Sequence, residues 1–162
     1  MKKIFICTNL LLLSLVTFMT ACVQQHDTST ETSNIQSNEE NDMNQFKIKV
    51  DNREMIATFA DNAATNQLKE ILKEKDLSIS MHDYGNFEKV GPFGFDLPTS
   101  DTKTTTTIGD IMLYNGNQMV IFYGSNQWSY TRLGRIENAT RENLLNFLGT
   151  GEVTITLSLV KE

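Results

Sequence analysis

The stretch from Gly109 to Ile136, GDIMLYNGNQMVIFYGSNQWSYTRLGRI, constrains the fold of this chain more than any other. It reads as three consecutive strands. The first two are joined by Asn115-Gly116, the dipeptide that best tolerates the positive φ angles of a tight type I′ hairpin turn. The third carries Trp128, Tyr130 and Arg132 at period two, so all three project from one face. This region also supplies the single Trp and three of the four Tyr of the 162-residue chain.

Strand signals precede and follow it. Phe46, Ile48 and Val50 alternate with Lys47 and Lys49, Asp51-Asn52 makes a turn, and Met55, Ala57 and Phe59 resume the alternation as a first hairpin. Asp61 is then placed to cap a helix whose apolar stripe is Ala64, Leu68, Ile71 and Leu72, ending near Lys75. Leu77, Ile79 and Met81 form the next strand, with Ser78, Ser80 and His82 on its wet face. Residues 83–107 read as a long irregular loop bearing Tyr84, Phe87, Phe93 and Phe95, with Glu88-Lys89 as a solvated pair and Thr104–Thr107 as an exposed edge. A second helix capped by Thr140 carries Leu144, Leu145, Phe147 and Leu148 and stops at Gly149; Val153, Ile155, Leu157 and Leu159 alternate in a last strand. Seven or eight strands, two short helices and no βαβ rhythm define a mainly β protein. The architecture expected is a small closed antiparallel β-barrel, since closure removes the edges that so many apolar strands would otherwise expose.

The N-terminus reads as an address. Lys2-Lys3 precedes an apolar run over Ile4–Met19, and Thr20-Ala21 stands just before Cys22. This resembles a bacterial lipoprotein signal, with Met19 where Leu is usual, and implies cleavage before Cys22 followed by acylation of that cysteine. The run is interrupted by Thr8, Asn9, Ser14 and Thr17 and is short for a spanning helix, which needs ~20 apolar residues. Residues 22–44 shift to Gln, Ser, Thr, Asn, Glu and Asp, a composition that cannot offset the entropy of ordering, and read as a disordered tether. The organisation expected is therefore a signal at 1–21, a lipidated tether at 22–44 and a barrel domain at 45–162, held by its lipid at the extracytoplasmic face of a bacterial membrane, or secreted if Cys22 is not acylated. With Cys7 in the leader and Cys22 at the lipid, no thiol remains for a disulfide or a nucleophile in the domain. A formal charge of −6 and no basic run longer than Lys2-Lys3 argue against nucleic acid as a partner.

Several blocks in the right order resemble the bacterial cyclophilin-like domain family. They are Met81–Lys89 (MHDYGNFEK), Leu97-Pro98-Thr99, Gly109-Asp110-Ile111, Tyr114-Asn115-Gly116-Asn117 and Ile121–Gly134. The resemblance spans about Phe46 to Val160 and implies a closed β-barrel flanked by two helices. True cyclophilins isomerise prolyl bonds with an Arg from a Phe-His-Arg stretch beside an apolar proline pocket. That stretch does not occur here, so no catalytic Arg carries over by motif.

The chain offers little other chemistry. It has two histidines, and His82 beside Asp83 lacks the oriented third group that a Ser-His-Asp site needs. Neither a Walker-type loop nor GxGxxG occurs, and no metal or cofactor site is expected. Isomerisation of an X-Pro bond needs no nucleophile, only a grip on the peptide and a group that polarises its amide against a barrier of ~18–20 kcal/mol. Arg132, sharing a face with Trp128 and Tyr130, is the residue placed for that role. A ligand groove lined by Tyr84, Phe87, Phe93, Tyr123, Trp128 and Tyr130 is the broader expectation. The main reading is a binding module for a peptide or an envelope protein segment. One alternative is a peptidyl-prolyl isomerase; another is a small-molecule or cofactor-associated module, because relatives of this family occur with flavodoxin-type domains.

Overall fold

The structure, a computed structural model, describes residues 44–160. The leader, Cys22 and all but the last residue of the expected tether lie outside the described residues. Strands β1 (Gln45–Val50) and β2 (Arg53–Phe59) form the first hairpin, turning at Asp51 with φ 53°. Phe46, Ile48 and Val50 point into the core while Lys47 pairs with Glu54 across the hairpin at 3.0 Å. Helix α1 (Ala63–Glu74) is capped by Asn62 rather than Asp61. The Asn62 side chain accepts from the Thr65 N–H, and the Thr65 hydroxyl accepts from the Asn62 N–H. This reciprocal box requires a hydrogen-bonding side chain at the third helical position, which Thr65 supplies for Asn62.

Strand β3 (Leu77–Tyr84) runs further than its apolar alternation, and the expected long loop contains two more strands, β4 (Glu88–Pro92) and β5 (Thr102–Thr105). Gly91 and Pro92 read locally as breakers. Pro92 is tolerated because β3 pairing ends at Val90, and Gly91 is required because a Cβ there would lie 2.4 Å from the Ser80 carbonyl oxygen. Strands β6 (Asp110–Tyr114) and β7 (Gln118–Phe122) form the expected hairpin, with Asn115 and Gly116 at φ 50° and 76°. Strand β8 (Gln127–Ile136), helix α2 (Arg141–Leu148) and strand β9 (Val153–Leu159) complete the described residues. Thr140 caps α2 and Gly149 ends it at φ 69°.

Eight strands close into an antiparallel barrel in the order β2-β1-β9-β3-β4-β7-β6-β8, with β8 returning to β2, while β5 adds to β8 as an edge. Closure involves three residue pairs, Ala57–Ile136, Thr58–Arg135 and Phe59–Gly134. A backbone hydrogen bond nets only ~1 kcal/mol, whereas burying a Phe or Ile side chain contributes ~1.5–3 kcal/mol. Phe59 and Ile136, both buried at this seam, therefore hold the barrel shut more than the ladder does. The interior cluster also takes in the apolar faces of both helices: Leu68 and Leu72 from α1, Leu144, Phe147 and Leu148 from α2.

Two features of strands β6 to β8 decide where the candidate site residues go. Ile111 pairs with Gly134 but Met112 pairs with Arg132, so Leu133 is an extra residue, a β-bulge. Leu133 points into the barrel, and the reset of alternation lets Arg132 and Arg135 reach the same carboxylate. In a regular strand residues three apart face opposite ways. Second, β6 and β7 are apolar on both faces. Their outward side chains Met112, Val120 and Phe122 join Tyr130 in a second cluster outside the barrel wall, with Phe87, Val90 and Tyr114 packed against it.

Candidate functional site

A groove of about 280 Å³ opens over that outer cluster, lined by Tyr84, Glu88, Tyr114, Asn126, Trp128 and Tyr130. Five of the six arrive by strand geometry, and Asn126 comes from the turn before β8. Tyr84 and Glu88 are register partners at the end of the β3–β4 hairpin, Tyr114 ends β6 on the face of Met112, and Trp128 and Tyr130 alternate along β8. Tyr84 and Trp128 are 61% and 58% exposed, the two large exposed rings among the described residues. Tyr130 is buried at the groove floor, edge-on to Phe122 at 5.5 Å and to Tyr114 at 6.1 Å. Asn126 orients it by donating to its hydroxyl at 3.0 Å.

The hairpin that presents Tyr84 is held from below. It turns through Gly85 and Asn86, both at positive φ, and the Phe87 ring folds back so close to Gly85 that a Cβ there would lie 2.2 Å from it. Phe87 stacks parallel to Phe122 and meets Tyr84 edge-on, each at 6.4 Å. Arg141, at the start of α2, donates to the Asn86 carbonyl at 3.2 Å and to the Tyr123 carbonyl at 3.0 Å, pinning the turn to the barrel.

Glu88 is the chemically distinctive member. The sequence reading places Glu88-Lys89 in solvent; the structure buries both, because β4 lies between β3 and β7 and is covered on both faces. Glu88 is 6% exposed, and its Oε2 is buried with no hydrogen-bond partner. Burial pushes its carboxyl from the ordinary 4.5 up to about 7.

Lys89, fully buried, faces the other way. It donates to Asp83 at 2.8 Å and to the Gly151 carbonyl at 2.5 Å. Burial alone would raise the Asp83 carboxyl. Hydrogen bonds from Lys89, the Gly151 N–H and the Tyr123 hydroxyl outweigh it and hold Asp83 below its ordinary 3.8. Burial, then the bond to Asp83, pushes the Tyr123 phenol up to about 12. This closed network satisfies its members and reads as structural.

The expected groove residues thus divide. Tyr84, Trp128 and Tyr130 come together, and Phe87 supports them from beneath. Tyr123 points inward to Asp83, and Phe93 is buried in the barrel interior against Phe95 at 5.4 Å, so neither lines the groove. Arg132 does not line it either: its guanidinium binds Asp110 at 2.7 Å, alongside Arg135 at 2.6 Å. Burial would raise Asp110, but the two guanidiniums and the Thr107 N–H hold it below its ordinary 3.8. Glu88, Tyr114 and Asn126 escaped the sequence reading. For Tyr114 the signal was present, since it shares the β6 face of Met112 next to the Asn-Gly turn. Among the described residues no group of three or more His, Cys, Asp or Glu side chains is placed to hold a metal, and no helix is long and apolar enough to cross a membrane.

A closed eight-stranded antiparallel barrel with two helices and an outer aromatic groove defines the class. Residues 48–158 match the model of the cyclophilin-like family, and the chain belongs to it. Among solved structures it is similar to a hypothetical protein of Archaeoglobus fulgidus, with a TM-score of 0.53 and 12% identity, covering 71% of this chain and 93% of that one. At that identity the likeness is one of fold. No curated protein matches the chain.

Proposed function

We propose that this protein is a lipid-anchored binding module of the bacterial cell envelope that takes an extended peptide or protein segment into the Tyr84–Trp128 groove. The observation that carries the reading is the pair of large exposed rings flanking a concave, aromatic-floored groove on a rigid barrel wall. At about 280 Å³ the groove falls just below the ~300–1,000 Å³ of sites that enclose a drug-sized ligand, and suits one side chain with its flanking backbone. That size favours a segment over a bulky cofactor. Isomerisation through Arg132 has weaker support, because its guanidinium is already engaged by Asp110. The anchor rests on Thr20-Ala21-Cys22 after the apolar leader.

Trp128 is the sole tryptophan, so its fluorescence reports the groove directly. Titration of the full chain with extended peptides should shift that emission. Trp128→Phe, followed by NMR of the peptide, should weaken binding while leaving the unfolding midpoint unchanged. Binding that survives both Trp128→Ala and Tyr84→Ala would refute the groove. A proline-containing peptide whose cis–trans exchange is accelerated by the wild type, and not by Arg132→Ala, would establish the isomerase instead. Equal incorporation of labelled lipid into wild type and Cys22→Ser would remove the anchor.

A further inference from the structure

We infer that the groove is a receptor for an alkylammonium group, as on a lysine side chain of the bound segment, with the Trp128 and Tyr84 rings as its walls and Glu88 as its counter-ion. This deepens the peptide-binding reading above and rests on it.

The first observation is an unmatched acid. The buried Oε2 of Glu88 has no hydrogen-bond partner, and leaving a carboxylate so desolvated is costly unless a cation or donor arrives. The protein supplies no cation: none of the six lining residues is Lys, Arg or His. Lys89, adjacent in sequence, is committed to Asp83 and Gly151 on the opposite face of β4. Asn126 bonds elsewhere, donating to the Tyr130 hydroxyl and accepting from the Gln127 N–H.

The second observation is the company Glu88 keeps. Four of its five partners in the groove are Tyr84, Tyr114, Trp128 and Tyr130, whose ring faces attract cations. An aromatic lining alone would accept any apolar side chain. Rings around a lone buried carboxylate select a group that is both alkyl and positive. A lysine side chain has that form: a methylene stem to lie against the rings and a compact charge at its tip.

Burial keeps Glu88 protonated up to about pH 7, so an arriving cation must displace that proton and affinity should rise between pH 6 and pH 8. The other titratable groups facing the groove are the phenols of Tyr84 on β3, Tyr114 on β6 and Tyr130 on β8; burial, then the Glu88 charge, raises Tyr130. β7 contributes only Val120 and Phe122. His82 lies two residues from Tyr84 on the same face of β3, opposite Val90, and is removed in a control variant.

The test is Trp128 emission of the full chain, titrated with three probes: butylammonium, and acetylated pentapeptides differing only in a central lysine or norleucine. At pH 8 the lysine peptide should bind roughly tenfold tighter than the norleucine peptide, the scale of a partly desolvated cation–π and charge contact. The preference should vanish in Glu88→Gln and shrink at pH 6 in both wild type and His82→Gln. The wild-type comparison of the two peptides needs no variant to fold. Equal affinity for both peptides overturns the cation receptor and leaves the peptide groove standing. A Glu88-dependent response to butylammonium without peptide binding supports the receptor and overturns the peptide reading. Silence from all three probes overturns both.

Discussion

Replacing Glu88 with Gln should shift stability in the variant's favour as the pH rises. In the native state burial holds the Glu88 proton up to about pH 7, whereas the unfolded chain releases it near the ordinary 4.5. Between those values the native state binds more protons than the unfolded one, so stability falls as pH rises through this window and the full cost is present above it. At ~1.36 kcal/mol per pH unit the separation corresponds to about 3 kcal/mol at most. The groove is open to water on one side, which screens the charge and reduces the expected effect to about 1–2 kcal/mol between pH 5 and pH 8. The assay is urea unfolding of wild type and Glu88→Gln, followed by far-UV circular dichroism at both pH values. Burying a neutral amide carries its own cost, but that cost is independent of pH and cancels in the double difference. Asp83, Asp110 and His82 are present in both proteins and cancel likewise. A wild-type-to-variant difference that is the same at pH 5 and pH 8, or smaller at pH 8, would refute the assignment of Glu88 as an uncompensated buried acid.

Asp110→Asn should cost about 1–2 kcal/mol at neutral pH, since it removes the buried carboxylate that the half-exposed Arg132 and Arg135 share and weakens the acceptor for the Thr107 N–H. The native Asp110 carboxyl sits below its ordinary 3.8, so its contribution is present above that value and lost as pH falls through the native value. Thermal melts should therefore show the two proteins converging in acid, and a gap that persists there would contradict the ion-pair origin. Gly134→Ala should cost about 2–3 kcal/mol, because a Cβ there would lie 2.4 Å from the Thr58 carbonyl oxygen and 3.1 Å from the Phe46 ring at the barrel seam. Amide hydrogen exchange should rise first at Ala57–Phe59; unchanged protection there would mean that the seam does not depend on this glycine.

Much of the fold was legible because its signals are local. Alternation at Phe46–Val50, Leu77–Met81 and Val153–Leu159, the Asn115-Gly116 turn, and the Thr140 and Gly149 helix ends each depend on residues within a few positions of one another. The cap shifted from Asp61 to Asn62 because a capping box is decided by its third helical residue, Thr65. Within the site, Trp128 and Tyr130 were visible by period two, and Tyr84 stood out as a large ring beside a glycine turn. Phe93 carries the same kind of signal as Tyr84, and only the packing distinguishes a ring that lines a groove from one that fills the barrel.

By itself, then, the sequence determined the kinds of element, their turns and their wet and dry faces, because periodicity and capping are properties of short segments. The tertiary structure decided which segments meet. β9, last in the chain, slots between β1 and β3, and β4 lies between β3 and β7. Burial of Glu88 and Lys89 follows from those remote neighbours, not from the two residues themselves, which in isolation look like any charged pair at a surface. The Leu133 bulge is of the same kind: it exists only as a mismatch between two strands, and it is what commits Arg132 and Arg135 to one aspartate.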